Sequence, residues 1–156
     1  MRKLFPYFLL LCLISVCACS KDDSSQDPNQ IASFESLLQG DWVVSSSAYN
    51  FYDVNNTVVW HEDDLDKGLK ISIKGNRMEQ LQNGESAIIP FVIDSSQGIS
   101  KLIFDEGDNV YDTAFIIKLN KSSLVWSFYK SPDSYEANEH WYDADHSIVT
   151  DNFVKD

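Results

Sequence analysis

From Leu69 to Tyr129 the chain repeatedly alternates apolar and polar residues with a period of two, and that alternation leaves few folds open. Leu69, Ile71 and Ile73 alternate with Lys70, Ser72 and Lys74. Phe115, Ile117 and Leu119 alternate with Ile116 and Lys118, and Leu124, Trp126 and Phe128 with Val125, Ser127 and Tyr129. Successive strand residues point to opposite faces of a sheet, so such runs are strands with one face buried. Between them lie Gly75-Asn76, Asn83-Gly84, Ser96-Gln97-Gly98, Gly107-Asp108-Asn109 and Asn120-Lys121. All are turn chemistry, and Asn83-Gly84 is the strongest signal, because a type I′ hairpin turn needs positive φ at both central residues.

The pattern predicts strands near 42–51, 57–61, 69–74, 77–82, 87–93, 101–104, 111–119, 123–130, 139–142 and 148–154. An open sheet of so many short strands has edges it cannot protect, whereas closure removes them. The expected fold class is therefore all-β, an antiparallel meander closing into a barrel of about eight strands; a two-sheet β-sandwich is the alternative. Pro90 cannot donate to a ladder, so its strand should carry a bulge or border an opening there. In 42–51 neither parity is cleanly apolar, and Ser45-Ser46-Ser47 marks a bend. Ahead of the strands, Ile31, Phe34, Leu37 and Leu38 recur at helical spacing. Glu35 follows early in that helix and Gly40 stands in position to stop it. The folded domain is expected to span 31–156, a length suited to one core.

The start of the chain has another composition. Arg2 and Lys3 give a short positive end, Leu4 to Val16 is apolar apart from Pro6 and Ser15, and small residues close the segment at Ala18-Cys19. That is a secretory signal peptide over 1–18, since the apolar stretch is shorter than the roughly 20 residues a membrane span requires. Residues 19–30 carry almost nothing to bury and read as a flexible tether. Plain cleavage near Ala18 would give a soluble secreted protein.

Val16-Cys17-Ala18-Cys19 resembles the lipobox of bacterial lipoproteins, in which the final cysteine receives lipid and becomes the new N-terminus. The resemblance implies lipidation at Cys19, with two or three acyl chains that anchor the protein at about 0.8 kcal/mol per buried CH₂. Removal of 1–18 takes Cys12 and Cys17 with it, leaving no free thiol for disulfides, zinc or nucleophilic chemistry. Arg2 and Lys3 also leave, so 12 basic against 24 acidic residues become 10 against 24, a formal charge of −14. A chain so acidic repels nucleic acid, and no nucleic-acid partner is expected. Lys21-Asp22-Asp23 resembles the acidic export signal of Bacteroidetes lipoproteins, which implies the outer membrane and its cell-surface face. Asp112-Thr113-Ala114 resembles the O-glycosylation sequon of exported proteins of that group, which implies a glycan on Thr113.

A short helix, then Gly40-Asp41-Trp42 opening the first strand, then a β-meander, resembles the lipocalin-like domains of Bacteroidetes lipoproteins. In lipocalins the Trp of Gly-x-Trp lies across the closed end of the barrel, and an arginine from a late strand packs over it. No arginine follows Arg77 in this chain. The resemblance implies a small apolar ligand held inside the barrel.

The residues offer few other sites. Glu139-His140, Asp143, Asp145, His146 and His61-Glu62-Asp63-Asp64 are metal-ligand types without a diagnostic spacing, and Asp105 to Asn109 lacks the alternation of a calcium loop, so neither metal nor cofactor is expected. No serine sits in a Gly-x-Ser-x-Gly elbow and no histidine has a recognisable nucleophile partner, so no enzymatic activity is expected. Aromatic residues are the stronger candidates. Trp60, Tyr129, Trp141 and Tyr142, together with Trp126 and Phe128, have faces suited to stacking on a glycan or lining an apolar pocket, although barrel filling alone would also use them. Two readings follow. One is a lipoprotein whose barrel binds a small hydrophobic molecule or glycan. The other is an accessory subunit or inhibitor with a filled barrel, meeting a protein partner through loops near 51–66 and 131–138.

Overall fold

The computed structural model describes residues 28–63, 66–107 and 110–156. The expected signal peptide at 1–18, the expected lipidation site Cys19 and most of the expected tether lie outside the described residues, as do Asp64 and the Asp108-Asn109 turn. A helix, α1 (Pro28–Leu38), leads into eleven strands: β1 (Gly40–Tyr52), β2 (Val58–Asp63), β3 (Lys70–Lys74), β4 (Arg77–Gln82), β5 (Glu85–Asp94), β6 (Lys101–Gly107), β7 (Val110–Leu119), β8 (Ser123–Lys130), β9 (Asp133–Ala137), β10 (His140–Ala144) and β11 (His146–Lys155). Strands β1, β3, β4, β5, β6, β7, β8 and β11 pair in that order, and β11 returns to β1. This is a closed antiparallel barrel, all-β and lipocalin-like, and not a sandwich. α1 starts three residues before the expected Ile31, because proline is well suited to a first helical turn where its missing N–H has no partner to lose.

The unclear parity of β1 has a structural cause. Trp42 and Val44 face inward, the register with β11 shifts between Val44 and Ser46, and beyond the bulge Ser47, Tyr49 and Phe51 take the inward positions. One extra residue at Ser45 thus exchanges the two faces. Past the bulge the other edge of β1 leaves β3 and pairs with β2, from Ala48↔Asp63 to Tyr52↔Val58. The β1–β2 hairpin therefore stands beside the mouth of the barrel. Pairing between β5 and β6 covers only Phe91 to Asp94 and stops at Pro90, which has no N–H to continue it.

Asn83 and Gly84 have φ of 53° and 86° and close the β4–β5 hairpin as the sequence predicts. β9 has no counterpart among the expected strands. Asp133-Ser134-Tyr135-Glu136 carries little alternation, and its turn, Asn138-Glu139, has positive φ at both residues without a glycine. The stretch expected as a loop is instead half of a two-stranded hairpin with β10, inserted between β8 and β11.

The core fills the end opposite that hairpin. Leu38, Trp42, Ile73, Leu102, Leu124 and Phe153 are all but fully buried there. The Trp42 indole N–H donates to the Leu38 carbonyl at 2.9 Å, tying the barrel floor to the last turn of α1. Lys155, near the end of β11, places its Nζ 4.6 Å from the centre of the Trp42 ring and donates to the Gln39 carbonyl at 2.6 Å. The position that the lipocalin resemblance gives to an arginine is filled by this lysine. Gly40, at φ +117°, passes so close that a Cβ would stand 2.8 Å from Lys155 Cε.

Candidate functional site

Towards the open end the inward positions change character. In β11 the inward residues run Ser147, Val149, Asp151, Phe153, and in β1 they run Ser47, Tyr49, Phe51. Gln80 on β4, Asp112 on β7 and Lys130 on β8 continue the same change. Polar residues cannot close over one another as leucines do, and a cavity of about 200 Å³ remains between them. Its apolar wall is made by Leu69, Ile71, Met78, Ile89 and Val149 with the rings of Phe104, Trp126 and Phe128. Phe104 and Trp126 meet edge to face at 6.1 Å, as do Trp126 and Phe128 at 5.7 Å. The three rings thereby hold one another in place.

The polar side is built on two aspartates. Asp151 is only 4 % exposed, and its Oδ2 accepts the Trp126 indole N–H at 2.8 Å. Its Oδ1 is buried with no hydrogen-bond partner among the described residues. Burial pushes the Asp151 carboxyl up to about 6; the Trp126 N–H acts in the opposite sense, and the neighbouring charge of Asp66 adds to the rise. Asp66, in the turn before β3, accepts the Tyr49 hydroxyl at 2.8 Å, and its own N–H donates to Ser47 Oγ at 3.2 Å. Burial, and then Asp66, raise the Tyr49 phenol well above its ordinary range, so it stays a neutral donor. With Asp112, three carboxylates and one ammonium, Lys130, line the cavity.

Above it, a second hollow of about 580 Å³ lies between the β1–β2 and β9–β10 hairpins and shares Tyr49 and Lys130 with the first. Trp60 of β2 stacks on Tyr135 of β9 at 5.5 Å, and Tyr135 stacks on Tyr142 of β10 at 5.4 Å. This row of rings joins the two hairpins beside the mouth.

The six aromatic candidates therefore separate. Trp126 and Phe128 line the barrel cavity, as the pocket reading requires. Trp60 and Tyr142 belong to the ring stack between the hairpins, and Trp141 borders the upper hollow while 71 % exposed. Tyr129 lies on the outer surface, stacked at 5.1 Å on His146, whose other face meets Tyr52 at 4.7 Å. These four do not reach the cavity; an expectation of aromatic faces could not tell inner from outer parity. Thr113 stands on the outer face of β7, half-buried, opposite Ile103.

Asp151, Tyr49, Asp66 and Gln80 were not among the expected site residues. For Asp151 the signal was present: a carboxylate on the same parity as Val149 and Phe153 within one strand is a buried charge in waiting. Tyr49 was hidden by the bulge and Asp66 by its place in a turn. Among the described residues no three His, Cys, Asp or Glu side chains gather where they could hold a metal ion. His61 instead contacts Asn50 at 2.9 Å and Asp63 at 3.0 Å on the surface.

No protein-family model matches the chain, and neither a curated protein nor a solved structure matches it significantly. The residues of the barrel themselves are what a functional reading has to rest on.

Proposed function

We propose that the protein is a lipocalin-like lipoprotein, anchored through lipidated Cys19 in a bacterial outer membrane and exposed at the cell surface, whose barrel binds a small molecule. The observation that carries this reading is the cavity at the open half of the barrel, walled by Phe104, Trp126 and Phe128 and bordered by polar side chains. Binding sites combine a preformed hollow, an apolar wall and convergent polar groups, and in this one the polar and apolar sides share the lining about equally. Its volume, below the roughly 300 Å³ at which drug-sized sites begin, favours a compact ligand over a lipid chain. The hollow between the two hairpins supplies an approach from solvent. The cavity weighs against the alternative of an accessory subunit with a filled barrel. Binding, not catalysis, is the proposed activity.

Native mass spectrometry of the full protein extracted from its own cells tests the reading. The expected species begins at Cys19, carries the mass of its acyl chains, and holds a further non-covalent mass that collisional activation removes. A chain without lipid would overturn the anchor. A lipidated chain with no adduct, and no small molecule recovered by solvent extraction, would overturn the ligand. Proteolysis of intact cells checks surface exposure, and a residual covalent mass mapping to Thr113 would show the glycan.

A further inference from the structure

The wall of the cavity suits an apolar body of many kinds, but its polar side is selective. Among the described residues that line the cavity, Asp66, Asp112 and Asp151 face one cation, Lys130. A carboxylate taken out of water loses its hydration unless a partner replaces it, and Asp151 receives one N–H hydrogen bond, from Trp126, on one oxygen only. The other oxygen is buried with no donor among the described residues, and the Asp66 carboxyl stands within hydrogen-bond reach of the Asp151 carboxyl, so the two acids face each other across the site. An unsatisfied buried acceptor calls for an explanation, since native proteins rarely leave one. The Asp66 carboxylate, already holding the Tyr49 hydroxyl, adds a second negative group beside it.

We propose that the barrel cavity is a receptor site for a small organic cation, an ammonium group on a compact apolar body, whose N–H groups occupy the free Oδ1 of Asp151 and the carboxylate of Asp66. The inference rests on the ligand-binding reading above and narrows it to a chemical class. A neutral hydroxyl ligand would fill the hydrogen-bonding position and leave the clustered charge uncompensated. An ammonium answers both, with charge-assisted bonds roughly twice as strong as neutral ones. Phe104, Phe128, Leu69, Ile71 and Val149, which line the same cavity, receive the apolar body. The groups around the ligand that carry or change charge are Tyr49 from β1, Asp66 from the turn before β3, Asp112 from β7, Lys130 from β8, Asp133 from β9 and Asp151 from β11. Asp151, which burial pushes up to about 6, takes up a proton as pH is lowered towards 5, so affinity for a cation falls over that range.

Calorimetric titration of the full chain in detergent at pH 7.5 decides the matter, with methylamine, 2-phenylethylamine and tryptamine as the ammonium series. 2-Phenylethanol serves as the neutral match of the second, and glucose and calcium chloride as competing chemistries. At least one amine of the series is expected to bind, with 2-phenylethanol weaker by about tenfold or more. Asp151→Asn and Asp66→Asn should each erase most of that preference while circular dichroism keeps the strand signal. If either variant fails to fold, the other and the fall in amine affinity between pH 7.5 and 5 carry the test. Equal or tighter binding of the alcohol or glucose would overturn the cation and leave a ligand-binding barrel. Calcium displacing the amine would replace the organic cation by a metal ion. If no compound binds, the cation inference falls, and the adduct sought by native mass spectrometry decides the ligand-binding reading separately.

Discussion

The two ends of this barrel solve the same problem in opposite ways. At the closed end the polar groups around Trp42 have partners. The Trp42 N–H meets the Leu38 carbonyl, the Lys155 ammonium meets the Gln39 carbonyl and the Trp42 ring, and Gln39 in turn bonds both the N–H and the carbonyl of Gly75. At the open end Ser47, Tyr49, Asp66 and Asp151 hold inward places, and one Asp151 oxygen has no partner among the described residues. A core built for stability would place apolar side chains there. Violations of core rules that persist in a well-formed fold are the mark of a site. The difference teaches that stability and recognition are separated along the barrel axis, and substitutions at each end should show it.

The largest effect is expected at the floor. Trp42→Ala removes a fully buried indole and the hydrogen bond that ties α1 to β1, and large aromatic truncations of this kind cost about 3–5 kcal/mol. Urea denaturation followed by circular dichroism measures the loss. A cost below about 1 kcal/mol would mean that the closed end is not the stabilising half, and the comparison would fail.

Asp151→Asn should move stability the other way. The carboxyl titrates near 6 in the fold against an ordinary 3.8, so the folded chain holds this proton more tightly than the unfolded one. The contribution of Asp151 is fully present below about pH 3.8 and is lost as pH rises through 6. At pH 7.5 the ionised side chain therefore burdens the fold, by up to about 3 kcal/mol at roughly 1.4 kcal/mol per pKa unit. An asparagine keeps an oxygen for the Trp126 N–H and carries no charge. It is expected to be the more stable protein at pH 7.5 and to lose that advantage near pH 4. Thermal unfolding at the two pH values reads both; a variant less stable at pH 7.5 would show that Asp151 is structural.

Much of the barrel was legible because period-two alternation is a direct consequence of strand geometry. The strands at 77–82 and 123–130 run as expected, since their flanking turns are explicit: Gly75, Asn83 and Gly84 take positive φ, and Asn120 Oδ1 accepts the N–H groups of Ser122 and Ser123. The hidden parts have physical reasons. A single bulge at Ser45 moved Tyr49 and Ser47 onto the inner face; the mixed parity and Ser45-Ser46-Ser47 mark the bend, but not which face each residue takes beyond it. β9 and its Asn138-Glu139 turn lack both alternation and glycine. The lipocalin resemblance implies an arginine over Trp42, whereas Lys155 supplies the positive charge there. Of the site, Trp126 and Phe128 were visible as inward aromatics, but the carboxylates depend on which residues meet across the barrel, and that is a property of closure.

Lys155→Met sharpens the account of the floor, because methionine keeps most of the packing and removes only the charge. The loss of the cation over the Trp42 ring and of the bond to the Gln39 carbonyl should cost about 1–2 kcal/mol. The value should change little with salt, since the contact is partly buried. A cost near zero would show that the lysine merely covers the indole as an apolar stem.

The smallest effect is expected at the outermost aromatic. Trp141 is 71 % exposed on β10 and stacks on no ring among the described residues, whereas its neighbour Tyr142 rests on Tyr135. Trp141→Ala should change stability by less than about 0.5 kcal/mol, as exposed substitutions do, while Tyr135→Ala, which takes the central ring from between Trp60, Phe51 and Tyr142, should cost more. Paired thermal melts of the two variants measure the gap. If Trp141→Ala proves the costlier, the hairpin is held by its outer face, and the hollow above the cavity is part of the folded core and not a vestibule. If the gap runs as expected, the mouth is assembled by the ring stack alone, and a bulky side chain left exposed beside it is free to meet whatever enters.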